Sequence, residues 1–204
     1  MRIITISREF GSGGRELGKR LADALDIPCY DHEIIDMVAE RNSFAKDHVA
    51  HVSEKDIRVY YPTTIAHRLI VPHPAAQQSI KIAVAEHELI KALATEGDCV
   101  IVGRCADVIL RDMKPMNIFF YADRASKLLR CAERAGEDEH FSEKEMAKRM
   151  KQVDRDRAAY RGLFTEDEWG RKESYDLCIN TSGKSVKALI PGIAEYVKLW
   201  FSEN

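Results

Sequence analysis

The apolar residues of the chain follow two spacings, short continuous runs and longer stretches with a helical repeat. Residues 3–6, Ile3-Ile4-Thr5-Ile6, form a run rich in β-branched side chains. After a glycine-rich stretch, leucine recurs every four residues at Leu17, Leu21 and Leu25. A run of this kind is typical of a buried strand, and the four-residue spacing is typical of an amphipathic helix. The sequence therefore opens with a predicted strand, loop and helix.

The same alternation continues to the end of the chain. Apolar runs predict strands at 29–30, 99–102, 117–121 and 175–179. Amphipathic stretches predict helices that begin at about residues 31, 77, 124 and 142, and after Ser185. Strands that alternate with helices predict an α/β fold, a three-layer arrangement in which about five parallel strands carry helices on both faces. The length of 204 residues suits a single domain, with a loosely patterned insert at about 43–76.

The first loop carries the clearest candidate chemistry. Gly11-Ser12-Gly13-Gly14 separates the strand from the helix, and glycines let backbone N–H groups approach a ligand closely. Because a helix N-terminus also favours negative charge, the loop predicts a phosphate site. The alternative is a turn that only packs the strand on the helix. The polar residues around it, Ser7, Arg8, Ser12, Arg15 and Glu16, favour the phosphate interpretation.

This loop departs from the common phosphate-binding pattern, GxxxxGK followed by Ser or Thr. Without gaps, the lysine position of that pattern falls on Gly14, and Arg15 and Glu16 come next. Two further residues follow predicted strands, Asp31 and Arg104. Because ligands of open α/β sheets bind at the carboxyl ends of the strands, Arg104 is expected near the glycine loop. A surface arginine is the alternative there, and Asp31 is equally interpretable as a helix N-cap.

Composition excludes several classes of protein. The net charge of -2 gives no overall basic field for nucleic acid, and no stretch approaches the roughly 20 apolar residues of a membrane span. We also expect no signal peptide, because the N-terminal apolar run is short. The five cysteines are scattered and odd in number, which indicates reduced, mostly buried thiols in a cytoplasmic protein. Sequence leaves the choice between monomer and homodimer open.

Several segments together resemble one family. They are SREFGSGGRELGKRLADAL with Pro28-Cys29-Tyr30-Asp31 after it, VGRCAD at 102–107, DRDRAAY at 154–160 and YDLCINTS at 175–182. These segments resemble the cytidylate kinase-like family, a divergent branch of the P-loop nucleoside monophosphate kinases. The resemblance extends over nearly the whole chain and is weakest between about residues 43 and 76. It implies a P-loop fold with an acceptor-binding insert at 43–76 and a lid at about 142–172.

The resemblance also implies ATP and Mg²⁺ as cofactors and a nucleoside monophosphate, CMP or dCMP first, as acceptor. In that interpretation the loop residues Gly11, Ser12, Gly13 and Gly14 wrap the β-phosphate, and Arg15 replaces the missing lysine. With Arg15 in the place of the lysine, Glu16 stands where a hydroxyl normally binds the metal and is the expected Mg²⁺ ligand. Thr181 and Ser182 occupy the turn beside the donor adenine.

On the acceptor side, the resemblance implies that Arg104 holds the acceptor phosphate and that Asp31 orients the acceptor or an Mg²⁺-bound water. Arg155 and Arg157 belong to a row of arginines, with Arg149 and Arg161, that resembles the lid. A solvated helix face with Asp154 and Asp156 as partners is the other interpretation of that row. Cys105 stands where close relatives have Asp, which leaves the base contact open. Two other functions remain: a kinase for a different small acceptor, and a nucleotide- or anion-binding regulator without turnover.

Overall fold

Five parallel strands form the centre of the molecule. The computed structural model describes residues 1–42, 49, 74–134 and 141–202. Its strands are β1 (Ile3–Arg8), β2 (Cys29–Tyr30), β3 (Cys99–Val102), β4 (Met116–Tyr121) and β5 (Leu177–Asn180). They are ordered β2-β3-β1-β4-β5 in one sheet, and every pairing is parallel. The predicted parallel sheet of about five strands is therefore confirmed.

Helices cover both faces of this sheet. They are α1 (Gly14–Leu25), α2 (Glu33–Asn42), α3 (Pro74–Glu96), α4 (Ala106–Ile109), α5 (Arg124–Arg134), α6 (Glu143–Arg161) and α7 (Val186–Ser202). One apolar core joins α1 and α7 to the sheet, with Leu17, Leu21 and Val197 buried. The other joins α2 and α3 to the opposite face, with Ile34 and Ile90 buried. The predicted three-layer arrangement is confirmed by these two cores.

Differences from the predicted boundaries are small. Helix α3 begins at Pro74 rather than at about residue 77, and the short helix α4 was not predicted. Most of the predicted insert at 43–76 lies outside the described residues. So do four residues whose aromatic rings and guanidinium groups predict substrate contacts, Arg58, Tyr60, Tyr61 and Arg68. Among the helices that the structure describes, none is long and apolar enough to cross a membrane.

The register of the sheet brings the loops after β1, β2 and β3 to one edge. Ile6 pairs with Val102, and Arg8 pairs with Phe120. On the other side of β3, Tyr30 pairs with Ile101. The three strands therefore end at the same edge of the sheet, and the glycine loop, Asp31 and Arg104 all follow the carboxyl ends of neighbouring strands.

Candidate active site

The glycine loop has the backbone of an anion cradle. Gly11 and Gly13 have φ values of 78° and 84°, a left-handed conformation that glycine adopts without steric cost. Ser12 is fully buried, and its N–H and hydroxyl both donate to the carbonyl of Glu9, at 3.2 and 2.8 Å. Helix α1 starts at Gly14 and has no side-chain cap. Since the first N–H groups of a helix lack intrahelical partners, they face the site available to an anion.

Arg130 and Thr181 support this loop from behind. The Thr181 hydroxyl is buried and donates to the carbonyl of Ser12 at 2.8 Å. The Arg130 guanidinium lies 3.4 Å from the carbonyls of both Gly11 and Ser12 and 3.1 Å from the Thr181 hydroxyl. Thr181, a candidate cofactor contact, therefore uses its hydroxyl to fix the loop. A partly buried arginine that holds backbone carbonyls has no recognisable motif, and sequence reasoning did not assign Arg130 this role.

Ser182 is also engaged within the turn that follows β5. Its hydroxyl accepts from the N–H of Asp123 at 2.7 Å and donates to the Asn180 side chain at 2.6 Å. The turn is thereby tied to the residues just after β4. Both hydroxyl residues predicted to contact the donor nucleotide lie beside the loop, and their hydroxyls stabilise the walls of the site.

Glu16, the expected Mg²⁺ ligand, is held by two arginines. One carboxylate oxygen accepts from Arg20 Nε at 2.7 Å, and the other accepts from Arg134 at the end of α5. Both oxygens of this carboxylate therefore face guanidinium groups in the structure, and the role of Glu16 as an Mg²⁺ ligand stays a prediction. Among the described residues, no group of three or more His, Cys, Asp or Glu side chains is arranged to hold a metal ion.

Asp31 lies between two arginines at the end of β2. Its side chain is 12% exposed, with Arg15 Nε 2.5 Å from one carboxylate oxygen and Arg8 Nη2 3.9 Å from the other. The oxygen near Arg15 is buried, and it is ion-paired with the Arg15 guanidinium. Arg15 itself is 62% exposed. The structure thus places Arg15 over Asp31, beside the loop, and the Asp31 carboxylate faces arginines rather than capping α2.

Arg104 is buried in a polar network behind β3. Its Nη1 lies 3.2 Å from Glu86, and the two side chains are 6% and 1% exposed. Tyr160 donates to the other oxygen of Glu86 at 3.1 Å, and burial raises the pKa of the Tyr160 hydroxyl. The surface-arginine alternative is therefore wrong. Arg104 lies at the expected edge of the sheet, but Glu86 already neutralises much of its charge.

Helix α6 contacts the end of β1 and the residue before the glycine loop through Asp154 and Arg157. The N–H of Phe10 donates to the Asp154 carboxylate at 2.7 Å, and Arg157 Nη1 donates to the carbonyl of Arg8 at 2.9 Å. Burial raises the pKa of the Asp154 carboxyl. Arg155 instead points to solvent, since residues two apart on a helix are about 200° apart around its axis. Arg157 thus reaches the candidate site, whereas Arg155 does not.

The last residue of α6 lies in the protein interior. Arg161 forms an ion pair with Asp107, and both side chains are 4% exposed. Its guanidinium lies 5.6 Å from the centre of the Tyr175 ring. The row of arginines is therefore neither a uniform lid surface nor a uniformly solvated face, because its members point in different directions.

A cavity of about 400 Å³ lies elsewhere, lined by Asp107, Arg111, Asn117, Asp176 and Trp200 among others. None of its lining residues belongs to the glycine loop. We therefore do not identify this cavity with the phosphate site.

The five cysteines are all free of disulfide bonds. Cys99 is buried and the other four are partly buried, so fewer thiols are fully buried than the sequence predicts.

Comparison with solved structures supports the fold. The chain is similar to an uncharacterised protein from Eubacterium ventriosum, with 29% identity, a TM-score of 0.70 and coverage of 97% of this chain and 99% of that one. It is also similar to shikimate kinase from Bacteroides thetaiotaomicron, with 13% identity, a TM-score of 0.59 and coverage of 97% and 98%. Shikimate kinase from Acinetobacter baumannii in complex with shikimate matches with 12% identity, a TM-score of 0.51 and coverage of 100% and 95%.

A sequence search of curated proteins returned no match. The model of the cytidylate kinase-like family matches residues 3–183. This match includes all five strands, the glycine loop, Asp31, Arg104 and the whole of α6. Because the match extends over most of the sequence, the chain belongs to the cytidylate kinase-like family.

Proposed function

We propose that the protein transfers a phosphoryl group from ATP to a small-molecule acceptor, and that CMP or dCMP is the first acceptor to test. Family membership and fold indicate a phosphotransferase of this general kind. The observation that carries the proposal is the uncapped start of α1 behind a left-handed glycine loop, next to Asp31 and its two arginines. Phosphoryl transfer depends mainly on the positioning of the reacting groups and on neutralisation of their charge. The backbone N–H groups of the loop and the arginines beside Asp31 are suited to both.

The loop fits the phosphates of ATP. Residues 11–14 present backbone N–H groups and no side chain larger than that of Ser12, whose hydroxyl is turned inward. Arg157 and Arg15 add positive charge at the rim. A bound Mg²⁺ would neutralise part of the charge of the phosphates.

Asp31 is the carboxylate that fits this metal. Mg²⁺ in such sites keeps several waters and takes one or two carboxylates together with substrate phosphates. Both carboxylates are paired with arginines, Asp31 with Arg15 and Glu16 with Arg20 and Arg134. Asp31 is the more shielded of the two, with its side chain 12% exposed against 32% for Glu16, and it directly follows β2 at the edge of the sheet where the glycine loop lies. We therefore assign to Asp31, rather than to Glu16, the orientation of the metal and its waters.

A second candidate is the same reaction on an acceptor without a phosphate group. Glu86 lies against Arg104 and is itself almost completely buried. A phosphate placed on Arg104 would also lie near this negative charge, which disfavours a dianionic acceptor. A hydroxylated acceptor that carries one carboxylate or none would avoid most of that repulsion.

The test is an ADP-release assay with ATP and Mg²⁺ against nucleoside monophosphates, hydroxy acids and sugars, with no acceptor as the blank. Turnover with CMP or dCMP above the blank supports the first candidate. Turnover only with an acceptor that lacks phosphate supports the second. If no acceptor gives turnover while ATP still raises the melting temperature, the protein is a nucleotide-binding regulator and the phosphotransferase proposal fails.

A further inference from the structure

Relative to the GxxxxGK pattern, two positions of this segment differ in opposite ways. A charged residue stands where the pattern has its first glycine, and a glycine stands where the pattern has lysine. When Gly14 stands at the lysine position of that pattern, its first glycine position falls on Arg8. The pattern has a small residue at the end of the strand and a cation at the start of the helix. This chain has the cation at the end of β1 and the small residue at the start of α1.

Steric contacts show that the two exchanges depend on each other. A Cβ atom built on Gly14 would lie 2.5 Å from Arg8 Cβ and 3.0 Å from Arg8 Cγ. Gly14 is helical and has no positive φ that would itself require glycine. The Arg8 side chain therefore fills the space in which a side chain at position 14 would begin.

A second glycine makes room for the other end of Arg8. A Cβ on Gly103 would lie 2.0 Å from Arg8 Nη1 and 3.0 Å from Cζ. The guanidinium thus lies against Gly103, at the carboxyl end of β3. Its Nη2 is 3.9 Å from Asp31, and its side chain is 18% exposed. The Arg8 side chain therefore runs from Gly14 to Gly103, and its guanidinium lies near Asp31.

Arg8 is also more firmly positioned than Arg15. Its backbone carbonyl accepts from Arg157 at 2.9 Å, and its backbone is part of β1. The side chain of Arg15 is 62% exposed, against 18% for Arg8. A cation that stabilises a transferring phosphate acts most strongly when it is preorganised and shielded from water.

From this geometry we propose that Arg8, rather than Arg15, supplies the positive charge to the donor phosphates that lysine supplies in the standard loop. The inference rests on the proposed function, because it assigns a residue to the same phosphate site. A planar guanidinium binds phosphate oxygens in pairs. Gly14 and Gly103 are then positioning residues, since they leave the space through which Arg8 reaches the site.

The first experiment measures ATP and ADP affinity by calorimetry, in the presence of Mg²⁺, for wild type, Arg8→Met, Arg8→Lys and Arg20→Met. Arg20 is a matched control, an arginine on α1 that pairs with Glu16 away from the loop. We expect Arg8→Met to weaken ATP binding at least about tenfold and to lower kcat/KM at least about a hundredfold. We expect Arg8→Lys to lie between wild type and Arg8→Met, and Arg20→Met to stay within about threefold of wild type.

A second variant tests the space rather than the charge. Gly14→Ala keeps Arg8 in the sequence, but its methyl group must displace the arginine stem. We expect it to weaken ATP binding by at least about fivefold. The double variant Arg8→Gly with Gly14→Lys restores the GxxxxGK part of the standard pattern. It should bind ATP more tightly than Arg8→Gly alone. Circular dichroism and thermal melts confirm that each variant is folded.

The outcomes separate the two proposals. If wild type binds ATP but phosphorylates none of the acceptors tested, the proposed function fails. The ATP affinity of Arg8→Met then still decides the role of Arg8. If wild type turns over and Arg8→Met and Gly14→Ala both stay within about threefold in ATP affinity, the Arg8 inference alone is overturned. Loss of affinity in Arg15→Met but not in Arg8→Met overturns it as well. Wild type that binds no nucleotide overturns both.

Discussion

Replacing Arg161 by methionine tests whether the end of α6 belongs to the protein core. Methionine keeps most of the apolar stem of Arg161 and removes its charge. Asp107 then remains with its carboxylate 4% exposed and without its ion-pair partner. The contact of the guanidinium with the Tyr175 ring, 5.6 Å from its centre, is lost as well. A mobile lid residue would show no such dependence.

Breaking a buried ion pair by removing one partner costs about 3–5 kcal/mol, because the remaining charge has lost its compensation. For a chain of this length, each kcal/mol shifts the melting temperature by roughly 2–4 °C. We therefore expect Arg161→Met to melt about 6–20 °C below wild type. The double variant Arg161→Met with Asp107→Leu removes both charges, and it should recover at least half of this loss.

The assay is thermal unfolding followed by circular dichroism, with urea unfolding at about 25 °C to obtain the free energy directly. Arg155→Met is the matched control, because it removes an exposed arginine from the same helix and should change stability by no more than about 0.5 kcal/mol. If Arg161→Met melts like Arg155→Met, or if the double variant is less stable than Arg161→Met, the ion pair does not anchor the end of α6 in the core.

Three further results are expected. If Arg104 holds an acceptor phosphate, Arg104→Ala should raise the acceptor KM at least about tenfold with little change in the ATP KM, and an unchanged acceptor KM would contradict that role. Burial lowers the pKa of the His87 imidazole from 6.5, so the neutral form favours the folded state, and stability falls as the pH drops below about 6.5. The fall in melting temperature from about pH 7.5 to about pH 5.5 should therefore be smaller in His87→Leu. Burial raises the pKa of the Cys29 thiol to about 12 and that of Cys99 to about 11, so both should react slowly with a disulfide reagent at about pH 8 until the protein is unfolded.

The sheet and the loop were predictable because their signals are local. A β-branched run such as that of β1 buries both faces only at the centre of a parallel sheet, and the glycines of the loop lie between it and a clear helical repeat. The order of elements then places Asp31 and Arg104 at the same edge. Each of these steps uses residues that are neighbours in sequence or lie at the ends of strands.

The pairing of charged residues was not predictable in the same way. Glu16 meets Arg134 from 118 positions away, and Arg161 meets Asp107 from 54 positions away. Arginine is rarely buried, so sequence alone favours an exposed face for all members of the row. The helical period gives one part of the answer, since it puts Arg155 and Arg157 on different sides of α6. The identity of their partners depends on tertiary packing.

The contacts of α6 argue against a lid that lifts as one rigid helix. Its last two turns hold Arg8 and Phe10, just before the glycine loop, through Arg157 and Asp154, and they hold the buried Glu86 through Tyr160. Arg161 anchors the end of the helix to Asp107. Lifting all of α6 would break these contacts together and expose charges that are compensated only in pairs, at several kcal/mol for each buried pair. We therefore interpret the last two turns as a fixed brace between the end of β1 and the polar network around Glu86.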